Sequence, residues 1–232
     1  MVTGLKRFIH ASIAALVLAM GSASAAQADS TTWLTPEGTK GKYAAEQVTQ
    51  FKFSYEGRNL TCKTMLWEES FIGTGNKYLP FQPAFTGCET SFGLTATITM
   101  KECDFAIKGV PTDPEEFGYL GTTELSCPAG QRISIDVYTS ATKHEDPEYL
   151  VCQYTVKPQT GLGYTYFENR ALQSEKDDIW LQANGVTFKT EVDGSTFFCG
   201  ASGGEARIWG ATTIRAFSAE GSQTKLTVGH ET

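Results

Sequence analysis

Six cysteines behind an apolar leader constrain this 232-residue chain more than any other feature. They are Cys62, Cys88, Cys103, Cys127, Cys152 and Cys199. The leader begins with Lys6 and Arg7, runs through apolar and small residues from Phe8 to Met20, and ends in Ala23-Ser24-Ala25 and Ala26-Gln27-Ala28. A positive start, an apolar stretch too short to span a bilayer and a small-x-small ending mark a cleavable signal peptide. Residues 1–28 are therefore read as the signal, cut after Ala25 or Ala28, and the protein as secreted and extracellular. No cysteine stands at the cleavage point, which speaks against a lipid anchor, and no second apolar run predicts a transmembrane segment in the mature chain.

An even number of thiols delivered to an oxidising compartment predicts disulfides. Zinc sites are built on close pairs such as C-x-x-C. The shortest spacing here is Cys88 to Cys103, so no metal is expected at the cysteines.

The order of the side chains then decides between helix and strand. Leu94, Ala96, Ile98 and Met100 alternate with Thr95, Thr97 and Thr99, and Ile133, Ile135 and Val137 alternate with Ser134 and Asp136. Period-2 alternation is the mark of strands buried on one face. Further strands are expected at 48–55, 59–66, 149–156, 164–168 and 206–217. Asn184-Gly185, between 179–183 and 186–190, predicts a two-residue hairpin, because both central positions of its turn need positive φ. Helical spacing is confined to 43–50 and 170–176. The fold class is all-β, an antiparallel sandwich or barrel-like fold stapled by disulfides. It divides into the signal peptide, a flexible N-terminal segment at 29–46 and a β domain at 47–228.

Within that domain Cys103-Asp104-Phe105-Ala106-Ile107 parallels Cys152-Gln153-Tyr154-Thr155-Val156, each after another cysteine and an alternating strand. Equivalent sub-units around 82–110 and 122–158 predict the bridges Cys88–Cys103 and Cys127–Cys152, leaving Cys62–Cys199, one of fifteen connectivities open to six cysteines.

The segments Phe53–Cys62, Phe85–Cys88, Cys127–Gly130, Cys152–Gly161 and Cys199–Gly210 resemble a group of secreted, cysteine-containing all-β proteins of actinobacteria. That group has no assigned activity. The resemblance therefore implies export and a β fold and carries over no site.

Charge narrows the partners. Loss of the leader removes Lys6 and Arg7 and no acid, so the net charge moves from −7 to −9. Such a surface repels phosphate backbones and anionic lipid, so no nucleic acid is expected.

Gly200-Ala201-Ser202-Gly203-Gly204 matches the G-x-S-x-G of a hydrolase elbow. That elbow must lead from a strand into a helix, and the residues after Gly204 read as strand. A serine-protease order needs His and Asp upstream, and His144 lies only 58 residues before Ser202. The acidic turns Asp113/Glu115/Glu116, Glu145/Asp146/Glu148 and Asp177/Asp178 lack the spacing of a calcium loop. No catalytic residue, metal or cofactor is therefore expected. Aromatics are the remaining chemistry, at 12% of the chain. Tyr164, Tyr166 and Trp180 are the candidate ligand-facing residues, since exposed rings on a sheet stack on sugar rings. The leading reading is a non-catalytic binding or structural protein whose partner is unknown, with an extracellular glycan or an envelope component as the classes left open. A carbohydrate-binding module is the alternative, and a secreted serine or carboxylate hydrolase comes third.

Overall fold

Alternating residues can hide only one face of a strand, so a chain of such strands must curl or stack to cover that face. A computed structural model describes residues 32–73, 75–110, 119–143, 146–170 and 178–230. The middle of its sheet is four long strands, β2 (Lys40–Tyr55), β3 (Arg58–Ile72), β12 (Asp178–Lys189) and β14 (Glu205–Ser218). Beyond β3 follow β5 (Ala84–Thr90), β6 (Thr95–Thr99), β9 (Ile133–Tyr138), β10 (Leu150–Val156) and β13 (Glu191–Gly194). Beyond β12 follow β11 (Tyr164–Arg170), β8 (Tyr119–Ser126), β7 (Asp104–Gly109) and β4 (Tyr78–Phe81). The order is β13-β10-β9-β6-β5-β3-β2-β14-β12-β11-β8-β7-β4, with β15 (Gln223–Thr224) beside β14. A separate ribbon pairs β1 (Thr32–Pro36) with β16 (Leu226–His230). All these pairings are antiparallel, and the sheet curls into a half-barrel.

The curl has a local cause. Register shifts fall on β2, which carries extra residues between Glu46 and Phe51 against β3 and between Gln47 and Lys52 against β14, and on β12 between Asn184 and Val186. These positions neighbour one another across the sheet, since Thr49 pairs with Ala211 and Asn184 with Trp209. Bulges bend their strand and add twist. Bulges on β2 and β12, in line on either side of β14, fold the sheet along a corner. The interior divides there into two apolar clusters. One gathers Phe53, Ile133, Ile135, Tyr154 and Phe188, and the other gathers Tyr43, Trp67, Phe167, Ile179 and Ile214. The ribbon closes the second half with Leu34, Leu226 and Val228. Asn169 holds it in place, donating from Nδ2 to the Val228 carbonyl and accepting the Val228 N–H at Oδ1, both at 2.7 Å.

Several expectations change. The cysteines pair in chain order, Cys62–Cys88, Cys103–Cys127 and Cys152–Cys199, rather than as Cys88–Cys103, Cys127–Cys152 and Cys62–Cys199. Topology is the reason. Cys62 and Cys88 are direct partners on neighbouring strands, with Cα atoms 3.9 Å apart. Cys103 and Cys127 sit one residue outside the Asp104–Ser126 pair that opens the β7–β8 hairpin. Neither β5 and β7 nor β8 and β10 are adjacent, so the expected bridges have no route. The proposed duplication fails on the same ground, for β9 pairs with β10 whereas β6 and β7 part to different flanks.

Asn184-Gly185 does not reverse the chain. β12 runs straight through it, and Gly185, at φ 72°, is the extra residue of the bulge. A glycine of positive φ serves a bulge as readily as a turn. Residues 43–50 are strand, not helix, because the β2 bulge breaks their period-2 pattern. The segment 29–46 is not a loose arm where it is described, since it carries β1 and the start of β2. The leader and 171–177 lie outside the described residues.

Two buried phenols give this interior a pH limit. Burial pushes Tyr43 up to about 12, against the opposing pull of its hydrogen bond from Asn76 Nδ2 at 2.8 Å. Burial likewise pushes Tyr154 up to about 12, with Arg58 opposing, and its hydroxyl donates to the Cys199 carbonyl at 3.0 Å. A raised folded pKa means that, above the ordinary value of 10.0, the unfolded chain releases these protons while the folded chain keeps them. Stability is therefore expected to be unaffected by these groups below pH 10 and to fall as pH rises from about 10 to about 12. Urea midpoints measured across that range test this. The loss should shrink when both residues are Phe, and an unchanged loss would assign it elsewhere.

Candidate functional site

The three aromatic residues singled out by sequence come together on the outside of the curled sheet. On β11, Thr165 and Phe167 turn inward and are buried, so Tyr164 and Tyr166 face solvent, 55% and 40% exposed. On β12 the buried Ile179 and Leu181 flank the half-buried Trp180, which therefore takes the same outward face. Tyr166 pairs with Gln182 and Glu168 with Trp180, which makes Tyr166 and Trp180 diagonal neighbours. Diagonal pairs on one face lie within reach of aromatic side chains. Tyr164, Tyr166 and Trp180 thus form a row, bordered by the polar Glu168 and Gln182. Toward β2 the same face carries an Arg215–Glu46 ion pair at 3.2 Å.

The serine motif lands in a different setting. The segment Gly200–Gly204 follows the helical turn Thr196–Cys199 and leads into β14, so no helix follows the serine. The loop is anchored rather than loose. Ala201 N–H donates to Glu56 Oε2 and Gly204 N–H to the Tyr55 hydroxyl, both at 2.9 Å, and Tyr55 also bonds the Ala201 carbonyl. Ser202 Oγ accepts the Val192 N–H at 3.1 Å, which is the role of a loop clasp. His144, Asp113, Glu115, Glu116, Glu145 and Asp177 lie outside the described residues. Asp146 caps a short helical turn by accepting the Glu148 N–H at 3.0 Å. Among the described residues no three His, Cys, Asp or Glu side chains converge on a point, and no helix is long and apolar enough to cross a membrane.

Two features escaped the sequence reading. Phe92, in the turn after β5, and Phe197 are 55% and 71% exposed, and Phe198 bridges them through ring contacts of 6.3 and 4.9 Å. A phenylalanine in the turn Ser91-Phe92-Gly93 was the available signal. The second lies inside, at the corner of the sheet. Two apolar cavities of about 30 and 50 Å³ share Phe51, Phe85, Phe105 and Ile208 as a common wall. Nothing in a strand pattern announces them. They arise because bent strands cannot fill their own inside corner.

No protein-family model, curated protein or solved structure matches this chain.

Proposed function

We propose that this is a secreted, non-catalytic binding protein whose recognition surface is the row Tyr164, Tyr166 and Trp180. Its ligand class is an extracellular or envelope glycan. The observation that carries the reading is that these aromatics share one outward face in register, with Glu168 and Gln182 at its border. Rings offer flat apolar area to the axial C–H face of a sugar, and flanking carboxylate and amide groups bond its hydroxyls. Single aromatics on a solvated strand are ordinary, whereas a contiguous patch of them is the kind of surface that marks a site of contact. The three disulfides are compatible with life outside the reducing cytoplasm. Export, and kinship with the actinobacterial secreted proteins, belong to the same proposal.

A glycan array probed with the mature protein tests it. Tyr164→Ala is the cleaner variant, because an exposed side chain far from the core changes stability by no more than about 0.5 kcal/mol. Its expected effect is about tenfold weaker binding, the weight of one stacked ring. Trp180→Ala should weaken binding at least as much. Glycan binding that survives both changes would remove the platform from the mechanism. A fluorophosphonate probe is expected to leave Ser202 unmodified, and labelling there would revive the hydrolase.

A further inference from the structure

Beside the β2 bulge, the outside of β2, β3 and β5 holds a trough of about 440 Å³. Its lining is polar and includes Gln50, Lys52, Asn59 and Thr61. Lys52 stands between the buried Phe51 and Phe53, and Thr61 between the buried Leu60 and Cys62, so both side chains point outward. The second lysine of the trough is already engaged. The stem of Lys63 lies across Gly87, 3.0 Å from where a Cβ would stand, and its ammonium meets Glu89 at 3.7 Å. Lys52 has no ion pair among the described residues.

The trough opens toward the aromatic row. Lys52 is the direct partner of Trp209 on β14. Ile208 lines the internal cavities, so its neighbour Trp209 takes the outer face, half-buried, with its Nε1 3.5 Å from where a Cβ on Gly185 would stand. Trp209 pairs in turn with Asn184, and Thr165 with Ala183, which puts Tyr164 next on the same line. From Lys52 to Tyr164 is three strand spacings, about 14 Å. Arg207 is exposed two residues from Trp209 on that face, diagonal to Lys52 and within reach of a long side chain. It too has no ion pair among the described residues. Acids outnumber cations 26 to 19 in this chain, yet two neighbouring cations here have no acid beside them. A polar hollow, a flat indole and two unpaired cations are complementary to a sugar that carries a carboxylate.

We propose that the trough is an acidic-sugar subsite at one end of the aromatic row, so that the ligand is a glycan containing uronic acid. The carboxylate lies on Lys52 and Arg207, the ring against Trp209, and the hydroxyls on Gln50, Asn59 and Thr61. The chain then continues over Tyr164. This assignment rests on the glycan reading and names the chemical class within it.

The probes are tetrasaccharides of galacturonic, glucuronic and mannuronic acid, each beside its methyl ester, which keeps the rings and removes the charge. Calorimetry with the oxidised protein is expected to show one acid series bound at least about tenfold tighter than its ester, the weight of one charge-assisted contact. That preference should shrink as sodium chloride is raised. Lys52→Gln should abolish it, leaving ester affinity and melting temperature unchanged, whereas Tyr164→Ala should weaken acid and ester alike. Equal binding of acid and ester, or a preference that outlasts both Lys52→Gln and Arg207→Gln, overturns the acidic subsite and leaves the aromatic row standing. Failure of every glycan, neutral or acidic, defeats both readings. Displacement of a bound uronide by single-stranded DNA would assign the cations to a polyphosphate and overturn the proposal as well.

Discussion

Reduction of the three disulfides is expected to unfold this protein at 37 °C. The bridges close loops of sequence separation 26, 24 and 47 residues. Loop-closure entropy assigns each about 3 to 4 kcal/mol, with the Cys152–Cys199 bridge the largest because its loop is the longest. Total stabilities of domains this size are about 5–15 kcal/mol, so loss of all three removes most or all of it. Urea unfolding with and without a phosphine reductant measures the sum. Single Cys-pair-to-Ser variants rank the terms, with Cys152/Cys199 expected to lose more than Cys103/Cys127. The connectivity is separately checkable, because a chain-order pattern gives three loops that do not overlap. Non-reducing peptide mapping should recover Cys62 with Cys88, Cys103 with Cys127 and Cys152 with Cys199. A midpoint that reductant leaves unmoved would mean the strand pairings hold without their bridges.

That connectivity also shows where sequence reading reached its limit. The strands were legible because their signal is local: alternation around Leu94–Met100 and Ile133–Val137 needs no knowledge of neighbours, and both appear as β6 and β9. Pairing is not local. Cys88 meets Cys62 rather than Cys103 because β5 lies beside β3, a fact fixed by how the whole sheet curls. The same division explains Asn184-Gly185. The need for positive φ at the glycine was readable, and Gly185 has it, but whether that kink reverses a strand or only bends it depends on the partner alongside. β14 spans the whole of β12, so the chain continues.

The candidate site divides in the same way. Tyr164 and Tyr166 were assignable to one face by spacing alone, and both are exposed. That Trp180 joins them required the register of β11 on β12. Thr212, on the wall of the larger cavity, was invisible, since a threonine in a strand is ordinary until its hydroxyl is found buried with no partner among the described residues. Aromatic residues announce an outer surface. Cavities are properties of the assembled corner.

Gly194→Ala is expected to be the most damaging single substitution near a disulfide. Gly194 ends β13, opposite Cys152, with φ 125°, where L residues are strained. A Cβ there would stand 2.2 Å from the Val151 carbonyl oxygen and 3.1 Å from Cys199 Sγ. The obstruction is backbone on one side and the cross-linked sulfur on the other, so no flexible side chain can yield. Strain at such a φ costs about 1–3 kcal/mol. Forcing β10 and β13 apart adds a further ~1–3 kcal/mol of overpacking. Gly130→Ala separates the two terms, for Gly130 has φ 80° but nothing within 4 Å of an added Cβ. It should lose the conformational part alone, about 1–2 kcal/mol. The difference between the variants, read from urea midpoints, is the cost of close approach. Gly194→Ala should also form Cys152–Cys199 more slowly on oxidative refolding, while Gly130→Ala should not. Equal losses in the two variants would mean that β13 can lift from β10 without penalty, and that the edge of the sheet is not held by the tight contact at Gly194.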